Sequence, residues 1–192
     1  MNPIFSQTNY VLKQQGLSIN GKYCLYDEND NPLLYIEEKV KWIPPSSAVH
    51  MYADAKKKQE VLTMKDRADS TDLDVIDVES GQKIGGISDT TEALIEFVVD
   101  AWALTDADDK PLARFADASV GQSILRELTG NELPQKLDIK VGETIVAELR
   151  QKVKMIGYEL SIDFSMDILH RLDRRLGIAA AVHVALHHGK EI

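Results

Sequence analysis

The chain is short of cysteine, of positive charge and of long apolar runs, and each shortage removes a class of protein. Its 192 residues include one cysteine, Cys24. An intramolecular disulfide framework is therefore excluded, and a reducing interior is expected. Lys and Arg number 22 against 31 Asp and Glu, a formal net charge of −9. Nucleic-acid binding draws on clustered cations that displace counterions, so this balance argues against a nucleic-acid partner. The same sign disfavours general adhesion to anionic lipid. The longest nearly all-apolar run, 178–186, is about half of the ~20 residues a spanning helix needs, and no membrane-spanning segment is expected. The opening MNPIFSQTNY lacks the positive stretch, apolar core and cleavage site of a secretory signal, which points to a cytoplasmic protein.

What is present is an echo. Residues 23–36 read YCLYDENDNPLLYI and residues 102–115 read WALTDADDKPLARF. Asp27, Asp30, Pro32 and Leu33 recur as Asp106, Asp109, Pro111 and Leu112, each 79 positions on. An aromatic opens both segments (Tyr23, Trp102), and Ile36 and Phe115 close them. Each copy is an apolar-rich run, a polar turn and a second apolar run, the pattern of a hairpin. Asp and Asn suit such turns because their side chains bond nearby backbone amides. Two looser copies, 73–87 turning at Ser80-Gly81 and 137–149 turning at Gly142-Glu143, complete an order of strong, loose, strong, loose. Two similar halves, about 10–88 and 89–164, are expected within one domain spanning 1–192.

Alternation marks strands. From Leu34 the even positions Leu34, Ile36, Val40 and Trp42 are apolar apart from Glu38, while Glu37, Lys39 and Lys41 face the other way. Ile156, Tyr158, Leu160, Ile162 and Phe164 alternate with Gly157, Glu159, Ser161 and Asp163. Strands apolar on one side surround a core. Helices are few. Ser119 and Gln122 have capping-box spacing, and Val120, Ile124 and Leu128 predict a short helix ending at Gly130. Residues 91–101 are read two ways: Leu94, Phe97, Val98 and Ala101 fit a helix, while the β-rich FVV running into Trp102 favours a strand from about Ile95. Met166, Leu169, Leu172 and Leu176 share one helix face, so a terminal helix is expected over about 166–188. Its 178–186 stretch is apolar nearly all round, which places it inside a protein. Its alanines suit the narrow interior of a closed β structure.

Tyr10-Val11-Leu12-Lys13-Gln14, followed by Gly21-Lys22-Tyr23-Cys24-Leu25-Tyr26-Asp27, resembles the opening of LURP-one-related proteins. Trp102-Ala103-Leu104-Thr105-Asp106 resembles a second-half strand of the same families, and Leu172-Asp173-Arg174-Arg175-Leu176 resembles their bacterial members. With the phospholipid scramblases, these belong to the tubby C-terminal-like class. The resemblance implies a mainly β fold: a closed antiparallel barrel of two pseudo-repeated halves around a central C-terminal hydrophobic helix. For function it implies little, because one fold hosts unrelated activities. Scramblases carry a calcium-linked acidic segment before the terminal helix; Asp163, Asp167 and Asp173 occupy that neighbourhood with a different spacing. The basic residues by which tubby proteins hold phosphoinositide head groups have no match in this chain.

The remaining motifs have plain alternatives. Asp27, Asn29, Asn31 and Glu38 mimic an EF-hand loop, but Pro32 stands where that loop needs glycine, so they read as turn acids. His183 and His187 are one helical turn apart, with His188 following, yet Val184 replaces the glutamate of a metalloprotease helix. They read as a polar helix end leaving a core. Cys24 lies in a predicted strand with no activating base beside it in sequence. The glycines of 81–86 lack phosphate-loop context and mark a hairpin. Asp66, Asp69, Asp72, Asp74, Asp77 and Glu79 read as a solvated face or loop. No catalytic residue, metal ligand or cofactor is assigned.

The sequence thus points to a non-catalytic binding or scaffold module for a lipid, a membrane-associated protein or a small hydrophobic ligand. The candidate contacts for an anionic ligand are Lys56, Lys57 and Lys58 with Lys65 and Arg67, and Arg171 with Arg174 and Arg175. One alternative is an enzyme assembled from His50, His170 and the clustered acids. The last is a scramblase proper, which needs a longer membrane-inserting segment than 178–186.

Overall fold

Each strand pairs with the one before it, and the last returns to the first. The computed structural model describes residues 2–16, 21–42, 45–68, 70–89, 102–117, 136–152 and 157–188. They form a 3-10 turn (Pro3–Phe5), twelve antiparallel strands and one α-helix. The strands are β1 (Asn9–Gln14), β2 (Lys22–Tyr26), β3 (Pro32–Trp42), β4 (Pro45–Tyr52), β5 (Glu60–Asp66) and β6 (Leu73–Asp77). They continue as β7 (Lys83–Asp89), β8 (Trp102–Thr105), β9 (Pro111–Asp117), β10 (Lys136–Val141), β11 (Thr144–Lys152) and β12 (Glu159–Asp163), and the helix is α1 (Arg174–His188). β1 pairs with β12 from Asn9↔Asp163 to Lys13↔Glu159, which closes the barrel and leaves no sheet edge.

The expected alternation sets what faces inward. Leu34 and Ile36 are buried on β3, and Tyr158, Leu160, Ile162 and Phe164 are buried at and around β12. The side chains of Val40, Trp42 and Ile156 lie outside the described residues. So do the strand expected from Ile95 and the helix expected over 119–128.

Inside the barrel runs α1. Ile178, Ala179, Ala180, Ala181, Val182, Val184 and Ala185 have no solvent exposure, so a helix apolar on every side finds apolar contact on every side. Small residues set its distance from the wall. A Cβ at Gly177 would stand 2.5 Å from the ring edge of Phe164, closer than carbon atoms approach. Near the far end the Tyr23 hydroxyl donates to the Ala185 carbonyl at 2.7 Å. Burial, helped by the Glu38 charge, pushes the Tyr23 pKa up to about 12, so this donor keeps its proton at ordinary pH.

The helix starts later than its apolar spacing predicts, at Arg174 and not near Met166. Asp173 caps it, its carbonyl accepting the Gly177 N–H at 3.0 Å and its carboxylate the Arg175 N–H at 2.9 Å. Met166 and Leu169, expected on a buried face, are 49% and 70% exposed.

The two strong echoes are hairpins, β2–β3 and β8–β9, six strands apart in the ring. Asp27 accepts the N–H groups of Asn29 and Asn31; Asp106 accepts those of Asp108 and Lys110. Asp30 and Asp109 take left-handed backbone angles, φ 64° and 65°. The strand register slips at Leu25/Tyr26 and again at Leu104/Thr105. The two looser hairpins, β6–β7 and β10–β11, stand four strands apart instead of six. In an up-and-down barrel every connection is a hairpin, so a glycine turn alone does not identify equivalent places.

β4 and β5 form a further hairpin that the periodicity left unassigned. Its turn holds Lys56, Lys57 and Lys58 around Asp54, whose carboxylate accepts the N–H groups of Lys56, Lys58 and Gln59. Five connections, β2–β3, β4–β5, β6–β7, β8–β9 and β10–β11, lie at the end of the barrel where α1 enters, and this is the turn end.

Candidate functional site

The structure disperses the eight candidate basic residues. Lys56, Lys57 and Lys58 sit in the β4–β5 turn, and Lys57 bonds Glu37 of β3. Lys65 is exposed near the far end of β5, roughly 20 Å along the strand from that turn at ~3.3 Å per residue. Arg67 lies across Gly86 of β7 and reaches three carboxylates, Asp72 at 3.6 Å, Asp74 at 2.7 Å and Asp109. Arg174 is buried against Asp167 at 3.2 Å, its guanidinium 4.5 Å from the Phe164 ring centre. Arg175 is clamped by Asp77 at 2.6 Å and Asp173 at 2.5 Å, which raises its pKa further above the usual arginine value. Among the described residues, Lys56, Lys58, Lys65 and Arg171 of the eight meet no carboxylate partner, and they do not converge.

The acids of 66–79 are a solvated face only in part: Asp66 and Glu79 are exposed, and others are paired. Asp66 holds Ser47, Asp72 and Asp74 face Arg67, and Asp77 faces Arg175; Asp69 lies outside the described residues. Two open clefts abut these pairs. One of about 510 Å³ is lined by Phe5, Val61, Asp77, Ser80 and Arg175, and one of about 220 Å³ by Arg67, Asp72, Thr105 and Asp109. Their arginines are already neutralised, so neither cleft offers an unpaired cation to an anionic ligand.

His50 pairs with Glu60 at 2.7 Å on the β4–β5 wall, whereas His170 is exposed in the loop before α1. The enzyme alternative's two histidines are therefore not neighbours. His183 and His187 flank the Trp102 ring edge-on, at 5.0 and 5.3 Å between ring centres. Cys24 is buried in β2, and burial pushes its thiol pKa up, away from thiolate chemistry. Among the described residues no group of three His, Cys, Asp or Glu is arranged to hold a metal ion, and no helix is long and apolar enough to cross a membrane.

One feature of the turn end stands apart. Four large apolar residues are exposed among those described, and three of them, Met166, Ile168 (80%) and Leu169, lie within four positions. Phe164 and Leu172, on either side, are buried and anchor the loop in the barrel mouth. Beneath it lies Asp167, 3% exposed, whose carboxylate accepts the N–H groups of Arg171 at 2.8 Å and Leu172 at 3.1 Å and faces Arg174. The Asp167 N–H bonds the Phe164 carbonyl, and the His170 N–H bonds the Asp167 carbonyl. His170 takes φ 50°, a conformation that surrounding bonds must enforce. Arg171 leans onto Thr144 at 3.0 Å. No protein-family model, curated protein or solved structure matches the chain.

The loop is thus held outward by a polar clamp. Leaving an Ile and a Leu in water forgoes about 1.5–3 kcal/mol each relative to burial, and a fixed loop cannot relieve that by folding back. Sequence periodicity missed it because Met166 and Leu169 continue the spacing of the real helix. The usable signal was Asp173 directly before Arg174-Arg175 and the apolar run, which is an N-cap.

Proposed function

We propose that this protein is a non-catalytic interaction module of the tubby-like class, joined to its partner through Met166, Ile168 and Leu169. The carrying observation is the concentration of exposed apolar side chains in one loop that a buried aspartate holds in a fixed shape. Contiguous exposed apolar surface marks sites of association. A loop fixed in advance loses little conformational freedom on binding.

The class assignment is supported by the closed barrel around a buried terminal helix, together with the quoted resemblances. The pseudo-repeat is supported by the shared turn bonds, backbone angles and register slips of β2–β3 and β8–β9. On that six-strand step the halves are β1–β6 and β7–β12, with their boundary in the β6–β7 turn. Asp163, Asp167 and Asp173 bond Ser165, Arg174 and Arg175, which speaks against a calcium-linked role for them.

Placing a photo-reactive benzophenone side chain at Ile168, and as a control at exposed Ala107 in the β8–β9 turn, tests the function in cells. An adduct is expected at 168 and not at 107. No adduct at 168, or equal adducts at both, defeats the proposal.

A further inference from the structure

We propose that the 166–171 loop docks a protein segment carrying apolar residues flanked by lysine or arginine, not an anionic bilayer. This rests on the interaction-module function above and adds the partner's chemistry. Charge around the loop decides it. Of the five turns at this end, four are net negative: 27–31 (DENDN), 78–82 (VESGQ), 106–110 (DADDK) and 142–143 (GE). Two of these flank the loop directly. Glu143, paired with Arg114 at 2.9 Å, precedes Thr144, which holds the loop's own Arg171, and on the other side Glu28 bonds Asn9, the strand partner of Asp163.

The one net positive turn, with Lys56, Lys57 and Lys58, connects β4 and β5, six strands round the ring from the β10–β11 turn beside Arg171. It stands across the mouth from the loop and cannot share a small contact with it. A phosphatidylserine surface meeting Ile168 and Leu169 would bring its negative charge toward the Asp27-Glu28 turn, and exposed charges act over ~10 Å at 0.1 M salt. A protein surface offering cations around an apolar centre meets the same rim with opposite sign. Two bulky anchors at the centre and charge at the edge is the usual division between affinity and partner choice.

The test uses the full chain and two amphipathic helical peptides with leucine at i, i+3, i+4 and i+7. One carries lysine at every other position and its counterpart carries glutamate. Fluorescence anisotropy should show the lysine peptide binding at least about tenfold more tightly, a difference that shrinks as salt is raised. Ile168→Ser/Leu169→Ser should lose most of this binding with an unchanged circular dichroism spectrum, and Glu28→Lys/Glu143→Lys should remove the preference for lysine. Equal binding of the two peptides overturns the proposal, and so does lysine-peptide binding that survives Ile168→Ser/Leu169→Ser. Loop-dependent sedimentation with phosphatidylserine vesicles, or loop-dependent self-association in the ultracentrifuge, would replace this partner with a bilayer or a second copy. Either result leaves the interaction-module function standing. If the double variant alters none of these measurements, both proposals fall.

Discussion

Arg174 Nη1 stands 3.2 Å from Asp167 Oδ2, with the two side chains 8% and 1% exposed. The pair joins the first residue of the core helix to the loop that displays Ile168 and Leu169, so the helix start and the outward loop share one support. Two buried charges are costly to desolvate, and here each finds additional bonds. Asp167 accepts two backbone N–H groups, and Arg174 lies over Phe164 and reaches its carbonyl at 3.5 Å.

Asp167→Asn should therefore be strongly destabilising. It leaves the Arg174 charge buried without its partner, a loss of about 3–5 kcal/mol. Asp167→Asn/Arg174→Met, which removes both charges, should recover much of that loss. Urea unfolding of the three proteins checks the order. A single variant as stable as the parent would mean that the pair does not support the loop.

Replacing Ile168 and Leu169 with serine should leave stability within about 0.5 kcal/mol, as substitutions away from core and caps do. The same change is expected to abolish adduct formation in cells by a benzophenone placed at neighbouring Met166. A drop in melting temperature comparable with that of Asp167→Asn would show that the two side chains serve folding and not association.

Much of the fold is written in local patterns. The hairpins at 23–36 and 102–115 follow from Asp-rich turns between apolar runs, and the buried helix follows from an apolar stretch too short for a bilayer. What periodicity could not give is the helix start. Met166 and Leu169 keep helical spacing while Asp167, seven positions before the helix start, bonds the Arg171 and Leu172 N–H groups and bends the chain elsewhere. The pairing of basic and acidic stretches was also hidden. Arg175 meets Asp77 98 positions away, and Arg67 meets Asp109 42 positions away, and only closure of the barrel brings such residues together. The β4–β5 hairpin was missed because its lysine-rich turn reads as a charge cluster before it reads as a turn.

Asp27→Ala and Asp106→Ala should each lower the melting temperature by similar amounts, because the two carboxylates bond equivalent backbone groups. Their effects should add, since the turns lie six strands apart. The Asn31 side chain and its backbone N–H hold the Asp27 carboxyl below its usual pKa. With both oxygens accepting bonds, calorimetric titration should find no micromolar calcium binding at Asp27–Glu38.

Acid should selectively weaken the Asp77–Arg175 link. The Ser80 backbone N–H, opposed by desolvation and helped by the Ser80 hydroxyl and Arg175, holds the Asp77 carboxyl below its ordinary value of 3.8. A carboxyl depressed on folding contributes stability above its unfolded pKa and loses it as pH falls through the folded value. Asp77→Asn should accordingly be less stable than the parent at neutral pH, and the gap should close as pH falls below about 4. Denaturant titrations across that range check it; a gap independent of pH would assign the loss to shape, not charge.

Ala181→Asp gives the sharpest test of the filled barrel. Ala181 has no solvent exposure and lies mid-helix between the equally buried Ala180 and Val182, enclosed by the β wall. No basic side chain of the described core lies beside it in the helix, and the nearest arginines, Arg174 and Arg175, are already paired at the helix start. A carboxylate there would be buried and unpartnered, at a cost of at least about 3–5 kcal/mol on the scale of broken buried pairs. A typical domain is stable by only ~5–15 kcal/mol, so the variant should be unfolded or insoluble without any membrane or partner. Arg171→Asp, an equally acidic change in the exposed loop, should fold normally and serves as the control. Circular dichroism on the two variants decides the matter. A helix lying on a membrane surface would give the opposite result, a folded Ala181→Asp protein that loses vesicle affinity. A soluble Ala181→Asp protein with a parental spectrum would mean that α1 does not fill the barrel.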